Sequence, residues 1–278
     1  MIDATELAEL RAFAIDAARL AGRLTLQYFG GVFTIERKDD ASFVTEVDRR
    51  AEELLRERLA ARCPADGVIG EEFGVSEGES GRSWTVDPID GTLSFVHGVP
   101  LYGVLIGLLD GDEAVLGAMH LPALDETVAA ARGHGCQWTR GGIELGPARV
   151  RQETAAMSEA LVLATDFARL PDVDAGGAFA RLARAAGALR GWGDCYGHAL
   201  VATGRADAMI DPRMKPWDSV PLQPIVEEAG GRFTTLAGER VPAGGSAVST
   251  NGRLHAAILA LLDPQAPRSI RSGEAPAR

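Results

Sequence analysis

Residues 84–95 read "WTVDPIDGTLSF": an apolar run, Trp84 to Val86, delivers two carboxylates, Asp87 and Asp90, into a predicted tight turn at the end of a strand. Like charges held this close raise each other's pKa, so the arrangement is costly unless a cation sits between them. The stretch predicts a sheet whose strand ends carry acids, and its surroundings decide what kind of sheet.

Upstream, residues 3–29 predict a helix, with Asp3 and Glu6 spaced as a capping box and Leu7, Leu10, Ala14, Ala17, Ala21, Leu24 and Tyr28 recurring at intervals of three and four. A second helix is predicted from about Thr45 to Arg62, ahead of Pro64. "DGVIGEEFG" (66–74) and "SWTVDPIDGT" (83–92) then read as short strands finishing on carboxylates. Downstream, 101–119 gives two apolar runs about Asp110–Gly111–Asp112, a hairpin signal, and 126–138 adds a third strand.

From about 158 the pattern alternates between strands (ALVLAT, ADAMID, GRFTTL, SAVSTN) and helices (near 176–187, 194–204, 218–229 and 252–262), which predicts a second α/β layer. The chain therefore divides into an N-terminal α+β half, 1–150, a C-terminal α/β half, 151–263, and a flexible tail, 264–278, rich in Pro, Ser and Arg. Pro224 is expected to kink the helix it lies in, and Trp217 to pack in the core.

A net charge of −11 without a concentrated Lys/Arg face argues against nucleic acid as a partner. No apolar run approaches the roughly 18 residues of a membrane span, and the acidic start MIDATELAEL does not read as a secretory signal, so a cytoplasmic location and no membrane partner are expected. Cys63, Cys136 and Cys195 lack ligand spacing and are expected to be reduced and buried.

Collected by position, the acids at predicted junctions are Asp48 in TEVDRRAE, Glu71 and Glu72 in IGEEFG, Asp87 and Asp90 in DPIDGT, and Asp218 in KPWDSV. Acids on such junctions can converge, and an all-oxygen cluster suits Mg²⁺ or Mn²⁺ rather than zinc. Gly91–Thr92 precede a stretch able to start a short helix, whose N-terminal amides form an anion site beside that cluster. Metal ions and such a nest together bind a phosphate monoester.

The motifs VTEVD, GEE, DPIDGT and WDSVP, in the chain's order and spacing, resemble those of the inositol monophosphatase family of magnesium-dependent phosphatases, over nearly all of the chain to about 262. The resemblance implies a layered α-β-α-β-α sandwich of the inositol monophosphatase/fructose bisphosphatase type. It implies two or three Mg²⁺ ions, with Mn²⁺ able to replace them, on Glu71, Asp87, the Ile89 carbonyl, Asp90 and Asp218. It makes Glu71 part of the catalytic set as well, Asp48 and Thr92 the pair that orients and activates water, and Gly91 and Thr92 the holders of the phosphate next to Asp90. A homodimer is the common state of the family. Where members continue DGT with x-Asn-Phe, this chain has Leu93–Ser94–Phe95, and Ser219–Val220–Pro221 replaces small residues after the WD motif.

Residues 190–218, with WGDCYG and LVATGRA, resemble the histidinol-phosphate phosphatase branch of that family. An acid at Asp194, where members that bind neutral polyols carry a small residue, would pair with a cationic ester, with Asp211 facing the same pocket. The expected reaction is hydrolysis of L-histidinol phosphate to L-histidinol and phosphate, in histidine synthesis; the alternatives are an inositol monophosphatase or broad sugar/polyol phosphatase, and a degenerate, non-catalytic metal or phosphate binder.

Taken singly, each motif has a plainer reading. Asp48 is placed to close a capping box with Thr45, GEE is an ordinary solvated pair, DPIDGT an Asx-rich turn, and Asp218 and Asp194 helix caps. The joint occurrence favours the site, and the presence of all the expected acids argues against the degenerate binder. The five histidines match no nucleophile or metal motif and are assigned no chemistry.

Overall fold

The computed structural model describes residues 2–37, 43–165 and 177–263. The tail expected beyond 263 lies outside the described residues.

Helix α1, Ala4–Leu26, starts where the Asp3 side chain accepts from the Glu6 amide, a single N-cap bond. Strands β1 (Ile35–Arg37) and β2 (Phe43–Thr45) pair antiparallel, an element too short to show in the sequence pattern. Helix α2, Glu46–Arg62, opens on a full capping box: the Thr45 hydroxyl accepts from the Val47 and Asp48 amides, and the Asp48 carboxylate accepts from the Thr45 amide.

The next strands are β3 (Gly67–Gly70), β4 (Gly74–Ser76) and β5 (Arg82–Asp90), followed by the short helix α3 (Thr92–Val96). Then come β6 (Gly103–Asp110), β7 (Glu113–Leu121), β8 (Glu126–Ala131), β9 (Cys136–Arg140) and β10 (Ile143–Pro147). Two strands thus occupy the single one predicted at 126–138, because Gly133 and Gly135, both at positive φ, turn the chain between them. These strands form a sheet in the order β10-β9-β8-β7-β6-β5-β3-β4, antiparallel except for β3 beside β5.

The later part supplies β11 (Leu161–Ala164), α4 (Ala178–Ala185), β12 (Ala188–Arg190), α5 (Asp194–Ala202), β13 (Ala208–Asp211), α6 (Pro216–Glu228), β14 (Arg232–Thr234), β15 (Ala247–Thr250) and α7 (His255–Leu262). Its strands make a second sheet, ordered β12-β11-β13-β15-β14.

The buried side chains sort into three large apolar layers and a smaller cluster of Val47, Ile89, Phe95 and Tyr102 beside the end of β5. Leu7, Leu10 and Ala14 of α1 and Leu55 of α2 meet Trp84, Val86, Ile106 and Leu116 on one face of the large sheet. On its other face Leu105, Met119 and Val128 pack with Ala199 and Val201 of α5 and Leu222 and Ile225 of α6, which also meet Met209 and Phe233 of the second sheet. Leu182 of α4 and Ile258 of α7 cover the far face of that sheet over Val162 and Ile210. The order is therefore helix, sheet, helix, sheet, helix, the architecture expected.

Two expectations are corrected. Helix α6 runs unbroken through Pro221 and Pro224, and Trp217, in its first turn, is half-buried and belongs to none of the apolar layers. The missing proline N–H groups leave carbonyls of the preceding turn without helical partners, yet burial between two sheets holds the helix in place. It seats unusually close: a Cβ on Gly117 would lie 1.8 Å from the Pro221 carbonyl oxygen, and one on Gly107 2.9 Å from the Pro221 nitrogen. Replacing Gly117 by Ala is expected to cost about 1–3 kcal/mol by overpacking, read as a lower urea midpoint with an unchanged m-value.

Candidate active site

Strand β5 carries the site. Side chains three apart on a regular strand point to opposite faces, which would separate Asp87 from Asp90. Here the register shifts between them: Asp87 pairs with Leu105 and Asp90 with Gly103, so two residues of β5, Pro88 and Ile89, oppose one of β6, Val104. That bulge, at Pro88, which has no N–H for the ladder, turns both acids to the face occupied by the middle helices. The predicted tight turn is thus a bulged strand end, and the turn itself comes one residue later, at Gly91, with φ +86°.

Carboxylate oxygens of Asp87, Asp90 and Asp218 lie within 4.8 Å of one another. Asp218 is the third residue of α6, and its carboxylate accepts from the Lys215 amide at 2.7 Å, so it caps the helix while facing the β5 acids. Asp87 accepts from the Ile89 amide (2.9 Å) and Asp90 from the Cys195 amide (2.5 Å), at the start of α5. Helix N-termini thus point at the acids, which offsets part of their repulsion.

Burial raises the pKa of Asp87 well above the carboxylate range, with Glu71, Asp90 and Asp218 adding to it. Asp90 is raised by burial, then by Asp194 and Asp218. Asp218 is raised by burial and by the charges of Glu71 and Asp194. Glu71 follows β3 in the turn to β4 and acts on Asp48, Asp87 and Asp218. Such a group of hard oxygen donors, each destabilised by its neighbours, fits Mg²⁺.

Asp48 divides its carboxylate between two jobs. One oxygen closes the capping box, the plainer reading of this residue; the other, Oδ1, is buried without a hydrogen-bond partner. Burial lifts its pKa to about 6 against the pull of the Thr45 bonds. The Thr92 hydroxyl donates to the Ile89 carbonyl at 3.1 Å, so Asp48 and Thr92, expected to act as a pair, are not bonded to each other.

Asp194 opens α5 at φ +55°, in the left-handed region. It accepts from the Thr165 hydroxyl at 3.0 Å, and its Oδ2 would lie 3.0 Å from a Cβ on Gly91. Gly91 is therefore required both by its φ and by this approach. Asp211, at the end of β13, is buried; burial raises its pKa well above the usual range, and Asp194, Asp218 and Asp90 add to the effect. Both acids face the cluster electrostatically.

Sequence reasoning missed Glu52. It is fully buried, one turn after Asp48 on α2, and its carboxylate accepts from the Glu72 (2.6 Å) and Phe73 (3.2 Å) amides and from Arg56 (2.8 Å). It props the turn that displays Glu71, and Gly70 makes room, since a Cβ there would sit 2.0 Å from Glu52 Oε1. Its signal was an acid flanked by Ala51 and Leu55 on the apolar side of the helix, where an unpaired charge is rarely tolerated.

The remaining polar groups do other work. His120 (to about 4), His198 (to about 3) and His255 (to about 4) have pKa values lowered by burial and bond to hydroxyls of Thr127, Ser249, and Thr234 and Thr250, so they are neutral structural residues. The three cysteines are free and buried.

The profile described as the inositol monophosphatase family matches residues 6–265. The chain belongs to the inositol monophosphatase family. This phosphatase is 42% identical over 247 residues to a histidinol-phosphatase of Chlorobaculum parvum, covering 86% of its own chain and 93% of that protein. It is 39% identical over 254 residues to a histidinol-phosphatase of Mycobacterium tuberculosis, covering 90% and 96%. An IMPase structure from Thermotoga maritima superposes with a TM-score of 0.81 at 29% identity, over 91% and 96% of the two chains. Members of this family are metal-dependent phosphatases, typically with Mg²⁺, acting on small phosphate monoesters.

Two predictions follow from the geometry. Folded, metal-free protein keeps a proton on Asp48 up to about pH 6, whereas the unfolded chain releases it near 3.8; the associated stability is complete below the lower value and lost as pH rises through the upper one. The melting midpoint of EDTA-treated protein should therefore drop as pH rises from about 4 to about 6.5, and the rise produced by Mg²⁺, which competes with protons, should be larger at the higher pH. Glu52→Gln should raise the Mg²⁺ concentration for half-maximal activity by about tenfold, with kcat at saturating Mg²⁺ close to wild type.

Proposed function

We propose that this phosphatase hydrolyses L-histidinol phosphate to L-histidinol and phosphate, in the cytoplasm and as a homodimer. The observation that carries the substrate reading is the placement of Asp194: a carboxylate at the edge of the Gly91–Thr92 turn, within reach of whatever is esterified to a phosphate held there. A neutral polyol gains little from such a group, whereas an ammonium or imidazolium gains a charge-assisted hydrogen bond. Asp211, buried at the end of β13, is the second acid this reading gives to the pocket; its raised pKa favours the neutral form, and a cationic ester beside it would favour the ionised one.

The phosphate would lie against the Gly91 and Thr92 amides, at the start of α3 and beside Asp90, where helical N–H groups are without intrahelical partners. Glu71, Asp87, the Ile89 carbonyl, Asp90 and Asp218 would hold two or three Mg²⁺ ions, replaceable by Mn²⁺. Bound there, the metal supplies activation of water, a clamp on the phosphoryl oxygens and neutralisation of the leaving alkoxide. The chain's own contribution is positional and protonic. Asp48 Oδ1, unpartnered and with a raised pKa, is available to take a proton from the attacking water. Thr92, whose hydroxyl now rests on the Ile89 carbonyl, orients that water. Glu52 and the Thr45 cap fix the two acids of the outer segments, so little reorganisation is left for the reaction itself.

Phosphate release by purified protein with Mg²⁺ should be faster with L-histidinol phosphate than with inositol phosphate, and EDTA should abolish both. Asp90→Asn should reduce kcat with either ester to below about one hundredth. Asp194→Asn should raise KM for histidinol phosphate while leaving inositol phosphate nearly unaffected; an equal loss for both would assign Asp194 to the phosphate or the fold instead of the cation.

A further inference from the structure

Away from the acids, between α1 and the β8–β9–β10 edge of the large sheet, lies a cleft of about 210 Å³. We propose that it binds a small zwitterion, a free α-amino acid.

The argument begins with the strand register. Thr127 of β8, Thr139 of β9 and Glu144 of β10 are successive cross-strand partners, so their side chains stand in one row on one face. Arg19 of α1 reaches down onto that row: its Nε donates to the Thr127 hydroxyl at 3.2 Å and its Nη2 to the Thr139 hydroxyl at 2.7 Å. Both threonines are buried, so the guanidinium is pinned by neutral acceptors. A guanidinium has five N–H donors, and two are used here. The Arg19 side chain lines the cleft together with Glu144, Gln137 and Ile15.

Among the described residues Arg19 forms no ion pair, and neither does Glu144, although the protein is acidic and one strand spacing separates Glu144 from Thr139. Opposite charges that line one cavity without closing on each other leave a gap with a positive wall and a negative wall. A carboxylate fits the planar, pre-organised fork of the guanidinium, an ammonium fits the carboxylate of Glu144, and the Ile15 side chain offers apolar contact to what lies between. The cleft is smaller than the roughly 300–1,000 Å³ of drug-sized pockets, which limits the guest to a small metabolite. The proposal is independent of the substrate reading.

The test is a thermal-shift screen of the full chain, without phosphate ester, against each proteinogenic α-amino acid, followed by calorimetric titration of those that raise the melting midpoint. At least one amino acid should bind saturably. Its dissociation constant should weaken roughly tenfold or more in Arg19→Met and in Glu144→Gln, and its N-acetyl and carboxamide derivatives should fail to bind. Glu144 lies on an exposed strand, so Glu144→Gln decides the matter where Arg19→Met does not fold. No midpoint rise with any amino acid would overturn the proposal. So would binding unchanged in Glu144→Gln, or acetate binding as tightly as the amino acid, which would leave a plain anion site.

Discussion

Carboxylates crowded at the end of β5, Asp87 buried and Asp90 and Asp218 partly so, repel one another, and the surrounding structure is arranged around containing that repulsion. Where protein displaces solvent a unit charge interacts more strongly than in bulk water, so the ionised forms of Asp87, Asp90 and Asp218 disfavour one another unless something compensates them. The bulge at Pro88 brings two of them to one face, and the starts of α5 and α6 bring amides and a third acid to meet them. What remains uncompensated is a demand for a hard cation, which is the property the family uses.

The same demand explains why the site draws on distant parts of the chain. Asp48 comes from the start of α2, Glu71 from the turn after β3, Asp218 from the start of α6, and each is fixed by a local hydrogen bond or by a buried neighbour such as Glu52. Glycines set how near these elements come: Gly70 admits Glu52, Gly91 admits Asp194, and Gly107 and Gly117 admit α6. Packing in the middle layer therefore controls the spacing of the acids as directly as the acids' own rotamers do.

Much of this was legible in the sequence. The helix periodicities of 3–29 and 45–62, the hairpin at Gly111 and the alternating order after 158 all correspond to elements, because each rests on local apolar patterning. The acids at predicted junctions were found for the same reason. The bulge was not, since DPID reads equally as a turn until β6 supplies the register. Glu52 escaped because its partners are backbone amides twenty residues on, and Trp217 is half-buried where its apolar character predicts the core, because a residue type alone does not say how far an element's first turn is covered. β1, β2, β10 and β12 are short edge pieces whose existence depends on a neighbouring strand.

The left-handed backbone at Asp194 has an evolutionary side. A residue other than glycine held at positive φ gives up roughly 1 kcal/mol that glycine would keep, so the fold pulls this position toward a residue with no side chain, while the recognition of a cationic ester proposed above would pull it toward an acid. Drift at Asp194 is thus biased in one direction. On that proposal, a lineage released from the need to recognise a cationic alcohol would find the broader, less selective enzyme to be also the more stable one, and returning to selectivity would mean climbing back against the backbone.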